Sequence, residues 1–258
     1  MSDGTVRLER DGPVARVWFD RPHAMNAMTW KMYGEFEQIC GTLTGLPDLR
    51  VVVLRGVGGR SFVAGSDIAQ FAEFKDGADG IAYERRMDGI LDAFAAVPVP
   101  TLAVVDGLAV GGGLNIAAGC DLRIASTGAR FGVPIARTLG NCLSMRNYAR
   151  MAAGLGEAFA KRMLLLAELV TAEDLAGTGF LARIVPPEEM DDTADQLLAK
   201  LCSGAPLSMA ASKTALGRLA RTALPPDDDL ILSCYGSDDF REGIRAFGEK
   251  RRPGWTGR

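Results

Sequence analysis

Three consecutive glycines, Gly111-Gly112-Gly113, sit between the apolar run Thr101–Val105 with its Asp106-Gly107 turn and a second apolar stretch beginning at Leu114. Glycine inside a regular element costs roughly 0.5–1 kcal/mol relative to alanine. A triplet between two apolar segments therefore marks a junction where backbone must approach backbone or a ligand closely. The chain holds 31 glycines in 258 residues, about 12% against the usual ~7%. They cluster at Gly56, Gly58 and Gly59, at Gly65, and at Gly107 with the triplet. The fold must have tight strand-to-helix junctions at these places.

The segments between the clusters read as alternating strands and helices. Val6–Glu9 and Val14–Phe19 alternate in polarity around Asp11-Gly12, which predicts a hairpin. Thr29 can cap a helix running to Leu43, with Met32, Phe36, Ile39, Cys40 and Leu43 on one face. Leu49–Leu54, Thr101–Val105 and Asp121–Ala125 are short apolar strands, and a helix is expected from Ile81 to Val97. Near-continuous apolar strands alternating with helices imply an α/β fold, its parallel or mixed sheet covered by helices. Beyond residue 145 the pattern becomes helical, over 146–155, 157–168, 172–178, 187–203, 206–221 and 227–249. The last of these starts at Pro225-Pro226-Asp227-Asp228-Asp229. The expected division is an α/β core over 1–200 and a helical C-terminal region over 201–258. No internal sequence repeat is visible.

Composition excludes several function classes. Lys and Arg total 29, Asp and Glu 32, giving a net charge of −3, so no general attraction to nucleic acid or anionic membranes is expected. His23 is the single histidine, which rules out zinc motifs needing two and leaves no dispersed acid/base histidines. Cys40, Cys120, Cys142, Cys202 and Cys234 are odd in number and form no CxxC. We expect reduced thiols, a cytoplasmic location and no metal site. The N-terminal residues have no apolar signal core, and Thr101–Ala125 is interrupted by charged residues and glycines, so it reads as buried core, not membrane span. P-loop, dinucleotide and GxSxG signatures are absent.

Two segments remain unusual: Ser61–Ile68 and Asp106–Asn115, each small-residue-rich at a strand-to-helix junction. Free backbone N–H groups at such junctions carry partial positive charge. Two facing one point would make an oxyanion hole. The residues alone equally fit plain glycine turns in a tightly packed fold.

The order and spacing of six motifs resemble the crotonase (enoyl-CoA hydratase/isomerase) superfamily across nearly the whole chain. They are Arg21-Pro22-His23-Ala24-Met25-Asn26-Ala27, Phe62–Ile68, Asp106–Gly113, Cys120–Ala125, Phe131-Gly132-Val133-Pro134 and Glu242–Arg251. The resemblance implies a spiral of ββα turns, a helical trimerisation region and a coenzyme A thioester as ligand, with no permanently bound cofactor. It also implies a homotrimer or dimer of trimers. It assigns the thioester oxygen to the amides of Ser66 and Gly112, and the acyl-CoA cleft to Ala64, Asp67, Ile68, Gly111, Pro134 and Ile135. His23, Ala24 and Met25 fall on the coenzyme A side, and Phe247 and Lys250 at its adenosine end. Arg241, Arg245, Lys250, Arg251 and Arg252 make that end locally basic. The Ser66 hydroxyl has no histidine base in its motif.

The chain departs from the family where its hydratases carry two glutamates. Those positions are Asn115 and Ile135. An amide can orient water but cannot accept its proton, and isoleucine can do neither. The polar residue in reach is Arg137, either a bidentate clamp for a substrate carboxylate or an ion-pair partner at a subunit contact. Asp67, the acid beside the oxyanion strand, reads as a helix cap ahead of a base, and Cys142 as an acyl acceptor or inert packing. The nominal function is enoyl-CoA hydration. The alternatives are decarboxylation or another lyase step on a malonyl-type acyl-CoA, and a catalytically silent acyl-CoA binding protein.

Overall fold

The computed structural model describes residues 3–220 and 226–258. The Asp11-Gly12 turn closes the expected hairpin: β1 (Thr5–Asp11) and β2 (Val14–Asp20) pair antiparallel from Thr5↔Asp20 to Asp11↔Val14. Thr29 caps α1 (Trp30–Gly45), its hydroxyl accepting from the Met32 N–H.

A strand–strand–helix unit then follows three times. It comprises β3 (Val51–Gly56), β4 (Ser61–Val63) and α2 (Gly77–Ala95); β5 (Thr101–Val105), β6 (Leu108–Val110) and α3 (Gly112–Gly119); and β7 (Leu122–Ser126), β8 (Arg130–Gly132) and α4 (Ile135–Thr138). The first strand of each unit joins a six-stranded sheet ordered β1-β2-β3-β5-β7-β10, where β10 is Arg183–Val185. The second joins a four-stranded sheet ordered β4-β6-β8-β9, where β9 is Val170–Thr171. This is the repeated ββα architecture that the resemblance implied.

The larger sheet is covered on both faces, which explains its uninterrupted apolar strands. Val52, Leu54, Ala103 and Val105 face the main core with α1, α2 and α3. Their neighbours Val51, Val53, Leu102 and Val104 face Met190, Ala194 and Leu198 of α7 (Met190–Ser203). Between the third unit and that helix lie α5 (Met145–Leu155) and α6 (Glu157–Leu165).

The helical reading of the second half needs two corrections. Residues 172–178 form turns, not a helix, because Thr171 and Asp174 bond to each other's main chain beside β9. The single helix expected over 227–249 is two, α9 (Asp228–Tyr235) and α10 (Asp238–Gly248). The break falls at Gly236-Ser237, where the Ser237 hydroxyl accepts from the Phe240 N–H and starts a new helix. The preceding helix, α8 (Pro206–Ala220), was expected to reach residue 221, which with Pro225 lies outside the described residues. Helices α9 and α10 pack back on the core: Ile231, Tyr235 and Phe240 cluster with Phe71, Leu139 and Cys142. Among the described residues no helix is long and apolar enough to cross a membrane.

Candidate active site

The four-stranded sheet delivers two glycine junctions to one place. After β4 the chain turns through Gly65 (φ +90°), and after β6 through Gly111 (φ +55°). Both conformations favour glycine. The two turns touch: a Cβ on Gly111 would lie 3.6 Å from the Gly65 Cα. A parallel bridge holds the first turn in place, with the Met28 N–H donating to the Gly65 carbonyl at 2.8 Å and the Asp67 N–H to the Met28 carbonyl at 2.9 Å. The Gly111 N–H donates to the Gly132 carbonyl at 2.9 Å. The amides between these bonds are left over. Among the described residues, neither the Ser66 nor the Gly112 N–H meets a protein acceptor.

Both open on a cavity of about 220 Å³ between α1, α2, α3 and the segment running from Pro134 to Leu143. Ala64, Ser66, Ile68, Gly111, Gly112, Asn115, Pro134 and Ile135 all line it. Asn115, on the first turns of α3, is 3% exposed, and its side-chain oxygen has no partner among the described residues. Much of the cavity wall is apolar, built on Phe71, Met87, Ile90, Leu91 and Ile116.

The Ser66 hydroxyl lies 2.8 Å from the Tyr33 hydroxyl and 2.9 Å from that of Tyr83. Burial pushes the Tyr33 phenol up to about 12, and desolvation likewise raises Tyr83 well above its ordinary value. Both phenols stay protonated at neutral pH, so Ser66 is surrounded by hydroxyl groups and has no base to ionise it.

Other expected site residues lie elsewhere. Asp67 caps the 3-10 turn Ile68–Glu73 through the Ala69 N–H and pairs with Arg21 at 2.8 Å; it does not line the cavity. His23 is exposed, while the Met25 carbonyl accepts from the Ala64 N–H at 3.1 Å, so Ala24 and Met25 belong to a strip bracing the Ser66 junction. Asn26 anchors that strip, donating to the Val57 and Ser61 carbonyls. Arg137 is exposed on α4 and outside the cavity. A four-residue helix with Ile135 inward turns the next but one side chain to solvent. Phe247 (53% exposed) and Lys250 stand at the outer end of α10. The basic tail is largely neutralised: Arg241 pairs with Asp238, Arg245 with Glu242, and Arg251 with Glu242 and Glu249. The Cys142 thiol is pushed up by contact with Cys234 and by burial, which keeps it protonated and unreactive.

The sequence reading missed Glu84. It lines the cavity at 2% exposed, its oxygens accepting from the Tyr235 hydroxyl at 2.7 Å and the Ser144 N–H at 2.9 Å. Burial pushes its carboxyl up to about 7. A signal existed: Glu84 falls on the stripe of Met87, Leu91 and Phe94, the buried face of α2. Asn141 and Asn147 also line the cavity, and the Asn141 side-chain oxygen lacks a partner among the described residues.

The chain matches the family model described as enoyl-CoA hydratase/isomerase over residues 9–258. It is 33% identical to the short-chain-enoyl-CoA hydratase of Clostridium acetobutylicum, over 98% of this chain and 97% of that protein. It is 34% identical to the (E)-benzylidenesuccinyl-CoA hydratase of Thauera aromatica, over 98% and 99%. Among solved structures, a methylmalonyl-CoA decarboxylase in complex with 2-nitronate-propionyl-CoA superposes with a TM-score of 0.88 at 26% identity, covering 98% of this chain and 99% of that one. Fold, motif order and full-length similarity agree, and the chain belongs to the crotonase, or enoyl-CoA hydratase/isomerase, superfamily.

Proposed function

We propose that the protein binds an acyl-CoA thioester and stabilises the enolate of its acyl group on the Ser66 and Gly112 amides, with hydration of an enoyl-CoA as the nominal reaction. The observation that carries this reading is the pair of unpartnered N–H groups at touching glycine junctions on one cavity. Negative charge that develops on the thioester oxygen is met by donors already in place, and losing one such donor typically costs about 3–4 kcal/mol. The Asn115 amide, buried and with its oxygen unpartnered, is placed to orient a water or a polar group of the substrate. The two hydratase relatives favour the hydration reading.

Decarboxylation of a malonyl-type thioester is the second reading, favoured by the likeness to methylmalonyl-CoA decarboxylase. It is weakened because Arg137 is exposed and no Arg, Lys or His is among the described residues lining the cavity. A substrate carboxylate would have to be held by amides and hydroxyls, with no cation to pair it.

We further propose that the C-terminal region, 201–258, supplies the surface of a homotrimer or dimer of trimers. Helix α8 exposes Leu207, Leu216 and Leu219, and burying them is worth about 1.5–3 kcal/mol per side chain. In that assembly Phe247 and Lys250 serve the adenosine end of coenzyme A, and His23 its pantetheine or phosphates. Five free thiols fit a reducing cytoplasmic setting.

The test is incubation with crotonyl-CoA, followed by loss of the conjugated-thioester absorbance. Turnover above ~1 per second is expected. Coenzyme A binding without turnover would refute hydration and move the search to malonyl-type thioesters and to the silent-binder reading.

A further inference from the structure

We propose that Glu84, carried on α2 and at neither hydratase position, is the proton-transfer residue of the cleft and exchanges a proton with the α-carbon of the bound acyl group. The proposal rests on the acyl-CoA reading of the cavity given above. Among the described residues lining the cavity, Glu84 is the only carboxylic acid, and no histidine, lysine or cysteine accompanies it. With Asn115 and Ile135 in the usual places, no other group in the cleft moves a proton near neutral pH.

Its surroundings suit that task better than a packing role. Oε1 accepts from the Tyr235 hydroxyl and Oε2 from the Ser144 N–H, and the nearby Asn147 side chain further favours the ionised form. A carboxylate has about four lone-pair sites, so capacity remains toward the cavity. Ser144 is the N-cap of α5, so the positive end of that helix faces the carboxyl and supports its ionised form. Burial opposes it. The two effects leave the acid and its conjugate base both accessible near pH 7. A mere tie between α2, α5 and α9 needs no ionisable group: a glutamine oxygen accepts from Ser144, and its amide donates to Tyr235. A buried carboxyl is the more costly solution, and its added property is a transferable proton.

The step balances without a co-reactant. In the enolate-forming direction the Glu84 carboxylate takes the α-proton; the C–H bond breaks, its electron pair passes into the thioester carbonyl, and an O–H bond forms on Glu84. In reverse the acid returns the proton to the enolate carbon. Besides burial, the groups that set its titration are Tyr235 of α9, the Ser144 N–H, Asp88 on the next turn of α2 and Asn147 of α5, which Arg150 holds; Tyr83 beside it and Tyr33 of α1 also face it and stay protonated near neutral pH.

The experiment follows α-proton exchange of butyryl-CoA in D₂O by NMR from about pH 5 to 9, with wild-type protein, Glu84→Gln and Glu84→Asp. In parallel, bound acetoacetyl-CoA reports the oxyanion amides through its enolate absorbance, which needs no proton from Glu84 once formed. Wild-type exchange is expected to rise with pH through an inflection near 7. Glu84→Gln is expected to lose at least ~100-fold of the rate and the inflection, while keeping the enolate absorbance; Glu84→Asp recovers part of the exchange. Exchange by Glu84→Gln within a few-fold of wild type overturns the proposal. Loss of both signals in Glu84→Gln also overturns it, by showing a structural role. Wild-type protein that raises the enolate absorbance without exchange overturns the Glu84 proposal alone, and failure of both in wild type overturns the acyl-CoA reading with it.

Discussion

Glu84 makes the protein's stability depend on pH in a way a single substitution isolates. Its carboxyl titrates near 4.5 in an ordinary environment and at about 7 in the fold, chiefly because burial disfavours the charge. Below pH 4.5 it is neutral in both folded and unfolded chains. Between 4.5 and 7 the folded chain keeps a proton that the unfolded chain has released, so stability falls as pH rises, and it levels off above 7. At about 1.4 kcal/mol per tenfold change in proton affinity, the full loss is roughly 3 kcal/mol. Glu84→Gln removes this titration while keeping volume and both hydrogen-bond sites. Tyr33, Tyr83 and Tyr235 stay protonated in both proteins across this range, so the difference between them reports Glu84 together with its coupling to Asp88. Urea unfolding at one protein concentration, at about pH 5 and about pH 8, is expected to show wild type losing ~2.5 kcal/mol relative to the variant. A gap constant to within ~0.5 kcal/mol across that range would refute the reasoning, because a Glu84 that ionises as freely in the fold as in water gives no such difference.

Other perturbations test other parts of the molecule. Gly113→Ala would put a Cβ 2.0 Å from the Val63 carbonyl oxygen; we expect a loss of at least ~3 kcal/mol, read as lost soluble yield or a collapsed melting transition. Ser66→Ala keeps the amide and removes only the hydroxyl between Tyr33 and Tyr83. Stability should fall by ~1–2 kcal/mol and turnover by less than ~10-fold; a loss near 10⁴-fold would restore the hydroxyl as a nucleophile. Asn115→Ala should lower kcat by ~100-fold with a smaller change in KM, and equal kinetics would remove Asn115 from the site. Replacing Leu216 and Leu219 together by Glu should shift sedimentation toward monomer, and an unchanged sedimentation coefficient would place the subunit contact elsewhere.

The sequence by itself determined the local elements and the places of the glycine junctions. Asp11-Gly12 dictates a hairpin, Thr29 a helix start, and alternating burial on two faces the continuous apolar strands. The glycine junctions were legible because few other residues tolerate φ near +90° or +55°. The resemblance to the family, not the glycines themselves, named Ala64, Ser66, Ile68, Gly111, Gly112, Asn115, Pro134 and Ile135, all of which line the cavity. Strands β4, β6, β8, β9 and β10, two or three residues each, were not legible, since a period of two cannot be recognised in so short a run. The ββα unit recurs for the same reason without a sequence repeat: pairing geometry repeats, side chains do not. Tertiary structure alone turned Arg137 to solvent and gave the cleft its acid. Glu84 meets Ser144 across 60 residues and Tyr235 across 151. The helical stripe placed residue 84 on the buried face, but its proton affinity also depends on those distant donors, which no local pattern encodes.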